Sequence, residues 1–170
     1  MKVSIVILFI FLFFLLSVIP SESIAVPAFH PGNNEVSEDN NLKVLSWNIY
    51  MLPKMVARKG KLSRAEAIVE DLKKTDFDII VFQEAFLPGA RKIISKGLDS
   101  LYPYQYGPAN NTPNIKGSSG VWIISKTKMT ILKTIQFKEC ATWDCLVRKG
   151  AMLLQGNWNG KTFQLLGTHL

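Results

Sequence analysis

Asp78-Ile79-Ile80-Val81-Phe82-Gln83-Glu84 decides the fold. Four consecutive apolar residues are too few for a helix with one buried stripe. They suit a strand buried on both faces, which is the pattern of an inner strand in an α/β fold. The run stops at an amide and a carboxylate. Strand ends are where α/β folds place ligands and metals.

Upstream, Leu42 to Asn48 reads as another strand with a polar end. Between the two, Ala65, Ile68, Val69 and Leu72 fall at helical spacing. Ser63 and Glu66 predict a capping box at the start of that helix. Lys73-Lys74 predict its end, where positive charge suits the dipole. The basic Lys54 to Lys61 stretch predicts a loop. A strand, a helix and a strand in that order make a parallel βαβ unit.

Downstream, Pro88-Gly89 opens a second helix, with Ile93, Ile94, Leu98 and Leu101 on one face and Pro103 closing it. Tyr102 to Gly117 reads as a surface loop. Gly120 to Ser125 and Met129 to Phe137 read as the two strands of a hairpin. Lys138 to Lys149 looks irregular. Ala151 to Trp158 and Lys161 to His169 flank Asn159-Gly160, the strongest short hairpin signal. A third strand-like run therefore ends in a polar residue, His169.

The amino terminus belongs to a different class. Val3 to Ile19 is almost wholly Ile, Leu, Val and Phe, preceded by Lys2 and followed by small residues at Ser23 and Ala25. This predicts a secretory signal peptide over residues 1–25. An uncleaved membrane anchor is the alternative, although the run falls short of the ~20 residues that span a bilayer. Residues 26–41 lack apolar period and predict a disordered leader. Residues 42–170 then form the folding part.

The net charge of +7 favours an anionic partner such as nucleic acid, an acidic membrane or a phosphate substrate. The lysines are spread along the chain, so charge does not choose among these. Cys140 and Cys145 could form a small-loop disulfide in an exported protein, or stay reduced. No histidine or further cysteine lies near them in the sequence, which argues against a zinc site.

Glu84, Asn48 and His169 are the candidates for chemistry. A carboxylate beyond four apolar residues is costly unless paired or bound to a cation, and phosphoryl chemistry recruits Mg²⁺ with one or two such groups. An amide can hold a carboxylate or a phosphate oxygen. An imidazole can donate to a charged phosphoryl transition state. Each also has a plainer reading: a solvated glutamate, a turn asparagine, an exposed strand-end histidine.

In order and spacing, Trp47 to Pro53, Val81 to Phe86, Gly120 to Lys126 and Gly167 to Leu170 resemble the endonuclease/exonuclease/phosphatase superfamily. The Asn48-Ile49-Tyr50-Met51-Leu52-Pro53 run, and Cys140 to Cys145 followed by Lys149-Gly150, resemble its secreted bacterial neutral sphingomyelinase branch. The resemblance implies the N-terminal portion of a four-layer α-β-β-α sandwich with a Mg²⁺-dependent phosphodiesterase centre. It implies Glu84 as metal ligand, with Asn48 positioning phosphate or the metal-bound site. It also implies His169 stabilising the phosphoryl charge and Asp144 supporting the site. Lys149 is either a phosphate contact or a solvated loop lysine. The implied substrate is sphingomyelin at a membrane surface. A secreted nuclease and a non-catalytic membrane- or protein-binding remnant are the rivals.

The family pattern continues past the Thr-His-Leu strand with a Gly-Asp-x-Asn motif and an Asp-His pair that supplies the general base. Neither is present in these residues, and His30 lies in the leader. The expectation is that the second half of the sandwich is missing, that an inner sheet face stands open, and that the chain alone does not turn over substrate.

Overall fold

A computed structural model describes residues 41–52, 60–111, 117–139, 145 and 147–169. The expected signal peptide, and the leader up to residue 40, lie outside the described residues. No helix among the described residues is long and apolar enough to cross a membrane.

Two sheets pack face to face, with a pair of helices on the outside of the first. In chain order the elements are β1 (Val44–Asn48), α1 (Lys61–Leu72), β2 (Ile79–Gln83), α2 (Pro88–Leu98) and β3 (Tyr104–Tyr106), then β4 (Trp122–Ser125), β5 (Met129–Gln136), β6 (Gly150–Trp158) and β7 (Lys161–Thr168). The first sheet has the order β1-β2-β4-β3, and the second β5-β6-β7. β1 and β2 pair in parallel, as the βαβ reading requires, with Asn48 opposite Gln83.

The unbroken apolar run of β2 explains the layering. Successive side chains of a strand point to opposite faces. Ile80 and Phe82 therefore enter the core beneath the helices, with Trp122 and Ile124 of β4. Ile79 and Val81 enter a second core, with Ile123, Met152 and Leu154, between the two sheets. Phe82 and Trp122 stack with ring centroids 5.2 Å apart. Ala65, Ile68, Val69 and Leu72 form the buried stripe of α1, as their spacing predicts.

Four local expectations change. The cap of α1 is Gly60, at φ +88, and not Ser63. Ser63 lies inside the first turn and donates its hydroxyl back to the Gly60 carbonyl at 3.0 Å. A glycine replaces a side-chain cap here because the chain enters in the left-handed region.

α2 ends at Leu98, so Leu101 falls outside it and is exposed. Tyr102 is buried in its stead, and its hydroxyl donates to the Phe77 carbonyl at 2.9 Å. The expected loop after it contains the short edge strand β3.

β4 and β5 are not a hairpin. β4 is flanked by β2 and β3 in the first sheet, which leaves it no free edge for β5. β5 crosses to the second sheet and pairs with β6.

The expected open inner face is largely closed, because the second sheet covers β2 and β4. Apolar exposure is instead at the β1 edge, at Val44, and on the second sheet, at Ile131, Leu132, Ile135 and Leu166. The β6–β7 turn is as read, with both Asn159 and Gly160 at positive φ.

Candidate functional site

Three strand ends meet at one rim. Asn48 ends β1, Glu84 follows β2 and His169 follows β7. Asn48 Nδ2 donates to Glu84 Oε1 at 3.0 Å. His169 Nε2 lies 3.4 Å from the same oxygen. The second oxygen, Oε2, is buried and has no hydrogen-bond partner among the described residues. Two neighbours thus converge on one carboxylate oxygen and leave the other unsatisfied.

The amide is held the right way round for this. Asn48 Oδ1 accepts from the Tyr50 backbone N–H at 3.0 Å, which turns the amino group toward Glu84. The turn-residue reading of Asn48 holds, and the same side chain also reaches the Glu84 carboxylate.

The backbone at the rim is strained. Tyr50 and Glu84 have φ of 52° and 53°, in the left-handed region that side chains disfavour by about 1–2 kcal/mol. Such residues persist where surrounding structure fixes them, and they cluster at functional sites. Here the ladder continues past the strands. Ile49 N–H donates to Gln83 O at 3.1 Å, Met51 N–H to Glu84 O at 3.0 Å, and Leu87 N–H to Met51 O at 3.0 Å. Ala85 N–H donates to Gly120 O at 2.9 Å. Gly120 is itself at φ +73, and a Cβ there would lie 2.7 Å from the Phe86 ring.

His169 comes from the other sheet. β7 reaches this rim because Gly167, two residues earlier, lets its backbone sit close to the first sheet. A Cβ on Gly167 would lie 3.0 Å from Ile123 and 3.2 Å from Val121. A glycine inside a strand is a signal of close backbone approach, legible in the sequence once looked for.

Lys149 immediately precedes β6, at the same end of the second sheet. Thr168 of β7 donates its hydroxyl to Gly150 O beside it, at 3.2 Å. Asp144 lies outside the described residues. Cys145 is disulfide-bonded; the chain's other cysteine, Cys140, lies outside the described residues. Sequence reasoning missed Gly120, Gly167 and Arg91. Arg91, in the first turn of α2, donates to the carbonyls of Ala85 and Phe86 just beyond Glu84.

A buried carboxylate oxygen without a partner costs the free protein about 1–3 kcal/mol. A hard divalent cation is the partner that the chemistry of this group suits. Among the described residues, no group of three or more His, Cys, Asp or Glu side chains is arranged to hold a metal ion. That is compatible with Mg²⁺, which commonly keeps several waters and takes one or two protein carboxylates.

A model of the Endonuclease/Exonuclease/phosphatase family matches residues 45–147, spanning both β1 and β2 with their rim residues. The chain belongs to this family. It is 32% identical to a Sphingomyelinase C of Leptospira interrogans over 91% of this chain and 31% of that protein. It is 29% identical to a Phospholipase C of Staphylococcus aureus over 78% of this chain and 44% of that protein. Among solved structures, it is similar to a mutant beta toxin from Staphylococcus aureus with bound magnesium ions. That match has a TM-score of 0.67 and 28% identity, and covers 76% of this chain and 49% of that one. The fold is thus the sandwich of these family members, as the resemblance implied. The chain spans under half the length of the curated relatives it matches.

Proposed function

We propose that the protein carrying this chain is a divalent-cation-dependent phosphodiesterase of the sphingomyelinase type, releasing phosphocholine from sphingomyelin at a membrane surface. One observation carries the reading: Asn48 and His169 both engage one oxygen of Glu84, while its other oxygen is buried without a partner. The relatives' names supply the substrate class.

In this reading Glu84 holds the cation through Oε2. Asn48 orients the carboxylate with its amino group, and its own orientation is fixed by Tyr50 N–H. His169, half-buried beside Glu84, donates to the phosphoryl oxygen as charge builds there. Asp144 is assigned a supporting role and Lys149 a phosphate contact, as the family resemblance implies. When bound, Mg²⁺ supplies Lewis-acid polarisation of the phosphoryl group. No residue placed here is assigned to activate water, so the 170 residues by themselves are proposed to bind the cation without appreciable turnover. The hydrophobic amino terminus supports export.

A secreted nuclease of the same family is the second reading, favoured by the net charge of +7. The full gene product, given Mg²⁺, sphingomyelin vesicles and plasmid DNA side by side, separates the two. Phosphocholine release with intact DNA is the expected result. Nicked DNA without phosphocholine selects the nuclease. Vesicle binding with no product from either substrate selects a non-catalytic protein.

A further inference from the structure

We propose that Arg91 is a positioning residue for the Glu84 carboxylate and tunes how well this rim holds a divalent cation; the second half rests on the reading of Glu84 as a metal ligand. Arg91 lies in the first turn of α2, half-buried beneath the segment that joins β2 to that helix. Its Nη1 donates to Ala85 O and, at 3.0 Å, to Phe86 O. These are the two residues that directly follow Glu84.

The placement is unusual for a cation. Burial lowers the pKa of the guanidinium, yet arginine stays charged in proteins. Among the described residues it forms no ion pair. Its Nη1 serves two neutral carbonyls. Such an investment is reasonable where a backbone conformation must be held against its own preference, and Glu84 is in that state at φ +53.

Besides the Asn48 and His169 contacts to the Glu84 side chain, the segment is tied through backbone groups. Glu84 O accepts from Met51 N–H, and Ala85 N–H donates to Gly120 O. Arg91 holds the carbonyl side. Without it the Glu84–Phe86 turn can relax toward an ordinary φ, and Oε2 loses its fixed aim. A more exposed counterpart exists on α1, where Arg64 Nη1 donates to Tyr50 O at 3.3 Å, at the other left-handed residue. Each strained rim residue thus lies beside an arginine from a different helix.

The test uses the 170-residue chain and Mn²⁺ as the probe, titrated by electron paramagnetic resonance. Wild type is compared with Arg91→Met, Arg91→Lys and Glu84→Gln, alongside amide hydrogen exchange. Arg91→Met is expected to weaken Mn²⁺ binding about tenfold, the lower end of what supporting residues around a metal contribute. Exchange at the Met51 and Ala85 amides is expected to quicken, while Ile80 and Ile124 keep wild-type protection. Arg91→Lys is expected to recover part of both effects, and it carries the test if Arg91→Met does not fold.

Wild-type Mn²⁺ affinity in a folded Arg91 variant would overturn the tuning role. Exchange that quickens uniformly across the sheet would reduce Arg91 to a stabilising residue. If Glu84→Gln leaves Mn²⁺ affinity unchanged, the metal reading of Glu84 fails, and local exchange at Met51 and Ala85 alone decides the positioning role.

Discussion

The first sheet carries a polar cluster at each end, and the two are built on opposite principles. Where β1 and β2 begin, Lys43 and Lys126 meet Asp76 and Asp78. Lys43 N–H also donates to Asp78 Oδ2 at 2.9 Å. Opposite charges are paired there, and Asp76 is open to solvent. The lysines hold the Asp76 carboxyl below its ordinary pKa, chiefly through hydrogen bonds from Lys43 and Lys126. Where the same strands end, Glu84 sits on a strained backbone with one oxygen unsatisfied. The first cluster finishes a strand pair. The second keeps a buried carboxylate oxygen without a partner among the described residues, at some cost to stability, which is the pattern expected of a binding site.

Glu84→Gln should break the contrast most sharply. It is expected to weaken Mg²⁺ or Mn²⁺ binding by more than about 100-fold, beyond the 10–100-fold typical of supporting residues. In metal-free solution the same variant should raise the melting temperature, because a buried unpaired carboxylate oxygen is relieved of its charge. A metal-free variant less stable than wild type would mean that Oε2 is satisfied in solution.

Gly120→Ala tests whether the rim depends on its strained backbone. The new Cβ meets the Phe86 ring at 2.7 Å and requires an unfavourable φ. A loss of about 2 kcal/mol in urea unfolding is expected, from the left-handed penalty and the steric clash together.

Tyr102→Phe asks a smaller question about the far side of the helix core. Burial raises the Tyr102 pKa above its ordinary value. The raised folded pKa means that the neutral phenol is favoured on folding. Its contribution is whole below the unfolded value of about 10 and is lost as pH climbs through the folded one. The phenylalanine variant should therefore lose less stability than wild type between pH 9 and 11 (approximate bounds set by the ordinary tyrosine pKa), followed by circular dichroism.

Lys126→Ala should have the smallest effect. Its pair with exposed Asp76 contributes little, and buried Asp78 keeps the Lys43 N–H, so the variant is expected to match wild type in metal affinity and to melt only slightly lower. A clear loss of metal binding would show that the two ends of the sheet are coupled.

The expectations that survive are those set by short-range physics. Ile79 to Phe82 had to be buried on both faces, and Asn159-Gly160 had to turn. The failures share one cause. Trp122 to Ser125 and Met129 to Gln136, three residues apart, look like a hairpin to any local rule. β4 takes β2 and β3 as partners, and β5 goes to the other sheet. Leu101 and Tyr102 exchange burial because the helix stops at Leu98, so the face that the apolar spacing defines no longer exists beyond it. For the site, the polar residues at three strand ends were visible as positions, and the resemblance to a family supplied their expected roles. Arg91 carried no signal, since an arginine in an amphipathic helix reads as a solvated face.

By itself the sequence determined the alternation of strands and helices, the two-faced burial of β2, and the candidates Asn48, Glu84 and His169. Periodicity and turn chemistry act over a few residues, so a linear reading captures them. The tertiary structure decided that His169 of the second sheet meets Glu84 of the first, and that Asn48 and His169 share one carboxylate oxygen and leave the other bare. Those facts depend on sheet-to-sheet approach at Gly167 and on φ at Glu84. Both are outcomes of packing between segments distant in the chain, where no local pattern reaches.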